Sequence, residues 1–139
     1  GFKAKLHRWN PTFCPSPLCP VCLEFPEDAY HFVVGCWVKS RYWHDVLAHI
    51  SLSHLVVTDL DIWSVFVTFS TFSGATLNLR QMALMGAAFA TLWRYYWACF
   101  YDNTTWSSTA ALNMFISTYR HLLSSFYTEF NSDVLLINP

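Results

Sequence analysis

Cys19-Pro20-Val21-Cys22, followed by His31 and Cys36, places four metal-ligating side chains in the first quarter of a 139-residue chain. The spacing reads C-x2-C-x8-H-x4-C. Zn²⁺ takes four tetrahedral sulfur and nitrogen ligands, and a complete Cys₃His shell is a structural site with no open position for a substrate. Two cysteines separated by two residues can wrap one ion from a single tight turn, and the later pair then closes the tetrahedron. One structural Zn²⁺ is therefore expected. Cys14 competes for it, because Cys14-x4-Cys19 could also chelate; it reads as a spare thiol or a near neighbour of the site.

Other reactive side chains carry weaker patterns. His44, His49 and His54 repeat every five residues, a step that walks around a helix and does not converge on a second metal. Asp59-Leu60-Asp61 resembles a carboxylate pair for phosphoryl chemistry. It lacks a third carboxylate in any motif, so helix N-capping is the better reading. A Cys-His nucleophile drawn from the metal set would need a thiolate freed from zinc. No catalytic constellation is expected, and Cys99 reads as a small core residue within an aromatic helix.

These residues need elements to hold them. Pro11, Pro15 and Pro17 predict an irregular N-terminal arm over 1–18. Residues 19–50 form the zinc module: the metal turn, a strand-like stretch to 25, and a short helix opened by Pro26-Glu27-Asp28 and carrying His31. His31 and Cys36 lie about 140° apart on an uninterrupted helix. Gly35 is expected to break it through a left-handed conformation, so that Cys36 opens the next helix. That helix, 37–50, sets Tyr42 or Trp43, Val46, Leu47 and Ile50 on one face. Residues 51–139 complete a helical bundle. The stretch after Asp61 reads as a buried helix ended by Ser73-Gly74, although its β-branched content leaves a strand open. The clearest helix spans 78–101, with Leu79, Met82, Met85, Gly86, Phe89, Trp93, Tyr96 and Phe100 as its apolar stripe. Asp102-Asn103-Thr104 turns the chain into a last helix over 106–130, striped by Phe115, Tyr119, Leu122, Leu123, Phe126 and Phe130. The fold class is mostly α: a small CCHC zinc knuckle followed by a bundle of about four helices.

Hydrophobic residues make up 54% of the chain and charged ones 12%, about half the usual charge. Disorder is excluded over most of its length, and apolar surface is left over for a partner. Residues 81–101 are long enough to cross a bilayer, but Arg94 at their centre costs about 2.5–3.5 kcal/mol, so a membrane span is not expected. Four of the five cysteines fall within 14–36. An odd, clustered set fits zinc in a reducing compartment, nucleus or cytoplasm, better than secreted disulfides. The start, GFKAKLHRWNP, has no signal-peptide apolar run and no Met, as expected of a piece cut from a longer polypeptide. The net charge of −1 argues against binding driven by overall basicity. Basic character does gather near the metal set. Lys3, Lys5, Arg8, Lys39 and Arg41 against Glu24, Glu27 and Asp28 leave +2 over residues 1–41.

The metal spacing, with Pro17-Leu18-Cys19-Pro20-Val21-Cys22, Glu27-Asp28-Ala29-Tyr30-His31, Cys36, Ser40 and Trp43, resembles the zinc-binding C-terminal segment of non-LTR retrotransposon reverse transcriptases. Leu92-Trp93-Arg94-Tyr95-Tyr96-Trp97 looks more loosely like that family's downstream helix. The specific resemblance covers roughly residues 9–50. Where the family often has Gly after its second Cys, this chain has Leu23.

The resemblance implies a non-catalytic accessory domain that grips RNA or DNA or packs on the polymerase, the remainder of the polypeptide being its partner. Lys3, Lys5 and Arg8 on the arm, with Lys39 and Arg41, are the expected phosphate contacts. Trp93, Arg94, Tyr95, Tyr96, Trp97 and Tyr101 interleave a cation with aromatics as single-strand stacking platforms do, but read first as core and interface. The alternative is a zinc-stapled protein-interaction module without nucleic-acid contact.

Overall fold

The computed structural model describes residues 2–137, with side chains over 3–129. Helix α1 (Phe2–Trp9) replaces the expected irregular arm in its first half. Pro11, Pro15 and Pro17 all lie beyond it, so they end the helix without preventing it. Tertiary bonds hold α1 in place: the Ala4 amide donates to Glu27 O at 3.5 Å, and His7 Nδ1 lies 2.8 Å from Cys14 O.

The chain then folds back on itself around the metal turn. Leu18 and Pro26 form an antiparallel bridge, flanked by Cys19 N to Phe25 O (2.8 Å) and Glu27 N to Pro17 O (3.0 Å). Next comes a wide π-type turn, His31–Gly35, whose first amide is capped by Asp28 Oδ1 at 2.7 Å. The backbone does break there, with Cys36 extended at φ −80°, ψ 120°. Gly35 is required for a different reason from the one expected. Its φ is not positive; a Cβ at this position would lie 2.7 Å from the Tyr30 ring. Close approach, not a left-handed backbone, demands glycine here.

Four helices follow: α2 (Trp37–His49), α3 (Asp59–Thr68), α4 (Leu79–Asp102) and α5 (Ser108–Ile137). Helix α5 packs on α2 and α4, and the π-type turn packs on α2 and α3. Both Tyr42 and Trp43 are buried, and each has its polar tip satisfied. Tyr42 donates to Ala88 O at 2.6 Å, and Trp43 Nε1 donates to Val33 O at 2.6 Å. The fold is mostly helical, with the Cys/His cluster ahead of the bundle. No helix among the described residues is long and apolar enough to cross a membrane.

The stripe on α4 sits partly elsewhere than expected. Leu84, Met85, Ala88, Leu92 and Tyr96 face the core, whereas Leu79 is 90% exposed and Gly86 is exposed. The helix is apolar nearly all round, so its sequence does not single out one face. On α5, Phe115 is buried, Tyr119, Leu122, Leu123 and Phe126 are half-buried, and Phe130 lies outside the residues whose side chains are described.

The 59–73 stretch is a helix, not a strand, and it stops at Thr68 instead of reaching Ser73-Gly74. Phe69 adopts a left-handed C-cap at φ 61°, and Gly74 at φ 96° serves the following loop. Thr58 is the N-cap and Asp61 completes a capping box. Buried Asp61 does more than cap. Its Oδ2 accepts from the Val57 and Thr58 amides, both at 3.1 Å, and its Oδ1 accepts from the Phe72 amide at 3.0 Å. Burial raises its pKa, but the amide and hydroxyl donors of Thr58, Val57 and Phe72 together outweigh burial and hold it below the ordinary 3.8. Its stabilisation is therefore complete above that value and lost as pH falls through the folded-state pKa. Asp61→Ala orphans three amides at once and should cost about 3 kcal/mol in urea unfolding at pH 7. The gap between wild type and variant should narrow on acidification.

Candidate metal centre

Cys19, Cys22, His31 and Cys36 converge. All four are buried, and their ligand atoms lie within 4.8 Å of one another. Cys19 Sγ and Cys36 Sγ are 4.0 Å apart; Cys22 Sγ and His31 Nε2 are 3.4 Å apart. Tetrahedral zinc with ordinary bond lengths requires about 3.8 Å between sulfurs and about 3.6 Å from sulfur to nitrogen. These two pairs lie within a few tenths of an ångström of a four-coordinate S₃N ion, and the widest spacing in the set, at most 4.8 Å, asks for a closure of up to about 1 Å.

Each ligand is placed by a different local device. Cys19 and Cys22 sit on the turn closed by the 18–26 bridge, and the Val21 amide lies 3.4 Å from Cys19 Sγ as donor. His31 opens the π-type turn, and Cys36 is the N-cap residue of α2. The Cys36 thiol is held below its ordinary pKa, first by the Cys19 thiol that donates to it. Burial opposes that shift, and the Lys39 and Val38 amides at the start of α2 assist it. Cys19 is correspondingly pushed up, first by donating that proton and then by burial. His31 is lowered, by burial and then by the Lys39 charge. The shifts on His31 and Cys36 run toward the neutral imidazole and the thiolate that a metal ligand must supply, while that on Cys19 runs the other way, so metal binding must displace the proton shared by the two thiols.

Leu23, directly after the second metal-set cysteine, has φ 61°. This left-handed position explains why glycine suits it, and Leu23 carries the strain while its side chain stays 69% exposed. Leu23→Gly should raise stability by about 0.5–1 kcal/mol, read as a higher midpoint in urea unfolding.

Cys14 lies outside the cluster. Its thiol donates to Ser16 O at 3.3 Å and to Lys3 O at 3.7 Å, so it serves as a buried thiol tying α1 to the metal turn. His44, His49 and His54 are exposed and do not converge; His49 packs on Tyr119.

The expected phosphate contacts divide. Lys5 and Arg8 are exposed on α1, and Arg41 is exposed with its Nε 3.1 Å from Asp45. Lys39 is corrected: it is fully enclosed and cannot reach a nucleic-acid backbone. Its ammonium donates to Phe32 O at 3.0 Å, pairs with Glu27 Oε2 at 3.6 Å, and sits 4.6 Å from the centroids of both the Phe32 and Tyr96 rings. Lys3 differs from both groups, since it lines a cleft and does not stand on an open surface. It is only 8% exposed and lies over the Phe100 ring, since α1 packs where a free arm was expected. Sequence reasoning missed the network of Glu27, Lys39 and Tyr96, in which Tyr96 donates its hydroxyl to Glu27 Oε1. Glu27 and Tyr96 are 69 residues apart, and no local pattern announces such a partnership.

Fold and site together define a helical domain with a buried Cys₃His cluster near its N-terminus that could hold a metal ion. Compared with protein-family models, curated proteins and solved structures, the chain gives no match.

Proposed function

We propose that this chain is a zinc-stapled, non-catalytic accessory domain of a retroelement reverse transcriptase, assisting RNA or DNA binding or packing on the polymerase. The observation that carries the reading is the convergence of buried Cys19, Cys22, His31 and Cys36, with ligand atoms within 4.8 Å of one another, in C-x2-C-x8-H-x4-C spacing. The resemblance of residues 9–50 supplies the family. Zinc would be held by these four residues and would act as a cross-link; a closed shell offers no Lewis-acid position. A thiolate-rich centre of this kind belongs to a reducing compartment, nucleus or cytoplasm. Exposed Lys5 and Arg8, with no acid before Glu24, supply the cations for phosphate.

Metal analysis of the purified chain should give one zinc per molecule. Labelled RNA and DNA should bind with an affinity that falls as salt rises, since each phosphate contact releases counterions. Binding with no salt slope, or none at all, would sink the nucleic-acid reading. A protein-interaction module is the second reading, favoured by Leu23, Phe25 and Trp37, which stand exposed around the metal turn. In that case the zinc result stands and the salt-dependent binding does not appear.

A further inference from the structure

Lys3 is nine-tenths buried, yet among the described residues no carboxylate pairs with it and no hydrogen bond is made to its ammonium. Its companion is the Phe100 ring, 5.4 Å from Nζ to the centroid. Lys3 lines a cleft of about 210 Å³ where α1, the metal turn and the end of α4 meet, together with Val21, Phe100, Asn103, Thr104 and Trp106. No acidic residue lines this cleft. The carbonyl end of α4 gives the ammonium a partial negative field, well short of a counter-ion. The stem of Lys3 is buried while Nζ itself opens on the cleft, where it is available to an anion.

The lining selects the ligand class. A cation, an amide and a hydroxyl beside Phe100 and Trp106 suit an anionic group joined to a flat apolar ring. At about 210 Å³ the cleft takes the greater part of a single nucleotide unit, the rest lying at its open mouth, and excludes a duplex. A strand leaving the cleft meets α1, where Lys5 and Arg8 stand three residues apart on the exposed side and Trp9 is 81% exposed. Cations interleaved with aromatics are how single strands are held without sequence preference. We propose that this cleft seats one nucleotide of a single-stranded nucleic acid, its phosphate on Lys3 and its base against Phe100 and Trp106. The inference rests on the nucleic-acid reading above and assigns that reading its contact point.

The test uses the full zinc-loaded chain and a fluorescein-labelled oligouridine of roughly ten nucleotides, followed by anisotropy at fixed salt. Lys3→Met keeps the apolar stem and should weaken binding about tenfold or more, the worth of one charge-assisted phosphate contact. Lys5→Met, outside the cleft, should weaken it less, and a duplex of equal length should bind less tightly than the strand. Strand binding that is untouched by Lys3→Met would overturn the cleft and leave the domain reading standing. No strand binding by the wild type would overturn both. If Lys3→Met fails to fold, amide chemical shifts of the wild type decide. Changes centred on Phe100, Asn103 and Thr104 support the proposal, and changes confined to other surfaces refute it. Displacement of those shifts by an acidic peptide but not by the strand would refute the occupant.

Discussion

Stripping the metal with a strong chelator, or replacing Cys19 by Ser, is expected to unfold residues 14–50 and remove most of the bundle's stability. The metal turn cannot hold itself. Its large apolar residues, Leu23 and Phe25, face solvent, while its backbone closure rests on one bridge, made by the Cys19 and Glu27 amides, and on the Leu23 amide donating to Cys19 O. Structural zinc binds comparable peptides with about 10–16 kcal/mol, as much as the whole stability of an ordinary domain, about 5–15 kcal/mol. The loss must also spread. Phe32 and Val34 on the π-type turn share one core with Tyr42, Trp43 and Leu92, so freeing His31 and Cys36 loosens the centre of the bundle. Far-UV circular dichroism and metal content, read on the same samples, check this. One retained equivalent of zinc with unchanged helicity in Cys19→Ser would refute the ligand set. Cys14→Ser is the control: it should keep the metal, because Cys14 donates its proton to carbonyl oxygens and does not face the cluster.

What could be read from the residues alone follows the range of the interactions involved. The ligand set was legible because a turn, a cap and a helix start are local, and their spacing determines where each thiol points. Helices α2 to α5 were legible for the same reason, through Asp59 and Asp61 at one start and Asn103 at one stop. Helix α1 was not, since three prolines downstream outweighed a short run containing Ala4, Lys5 and Leu6. The core face of α4 was ambiguous where Leu, Met, Phe and Ala surround the helix. Gly35 was recognised as a breaker for the wrong reason, because the Tyr30 ring that excludes a Cβ is not a backbone preference. Lys39 was the plainest error. Beside Arg41 in a basic neighbourhood it looks like a surface cation, and only the fold brings Glu27 and Tyr96 around it.

That buried pair carries the second large effect. Lys39→Met alone, or Glu27→Gln alone, is expected to cost about 3–5 kcal/mol, because each leaves one enclosed charge without its partner. Both side chains are fully shielded from solvent, and Glu27 Oε2 has no hydrogen bond, only the ammonium at 3.6 Å. Desolvation of two ions in such a place roughly cancels their attraction, so the pair is not itself a large net stabiliser. What it does is couple elements. Glu27 is bonded through its backbone to α1 and to Pro17, Lys39 belongs to α2, and Tyr96 to α4. The double variant, Lys39→Met with Glu27→Gln, removes both charges and leaves an acceptor for the Tyr96 hydroxyl. It should recover most of the stability lost in either single variant, with a coupling of roughly 4 kcal/mol or more in a urea-unfolding cycle. Metal affinity should behave differently. Cys36 is lowered chiefly by the Cys19 thiol and Cys19 is raised by donating to it and by burial, and at both sulfurs the Lys39 charge adds a smaller pull toward the thiolate that a metal requires. The double variant should therefore regain its stability while still binding zinc more weakly than the wild type. If Lys39→Met unfolds within about 1 kcal/mol of the wild type, the pair is not the joint between the metal module and the bundle.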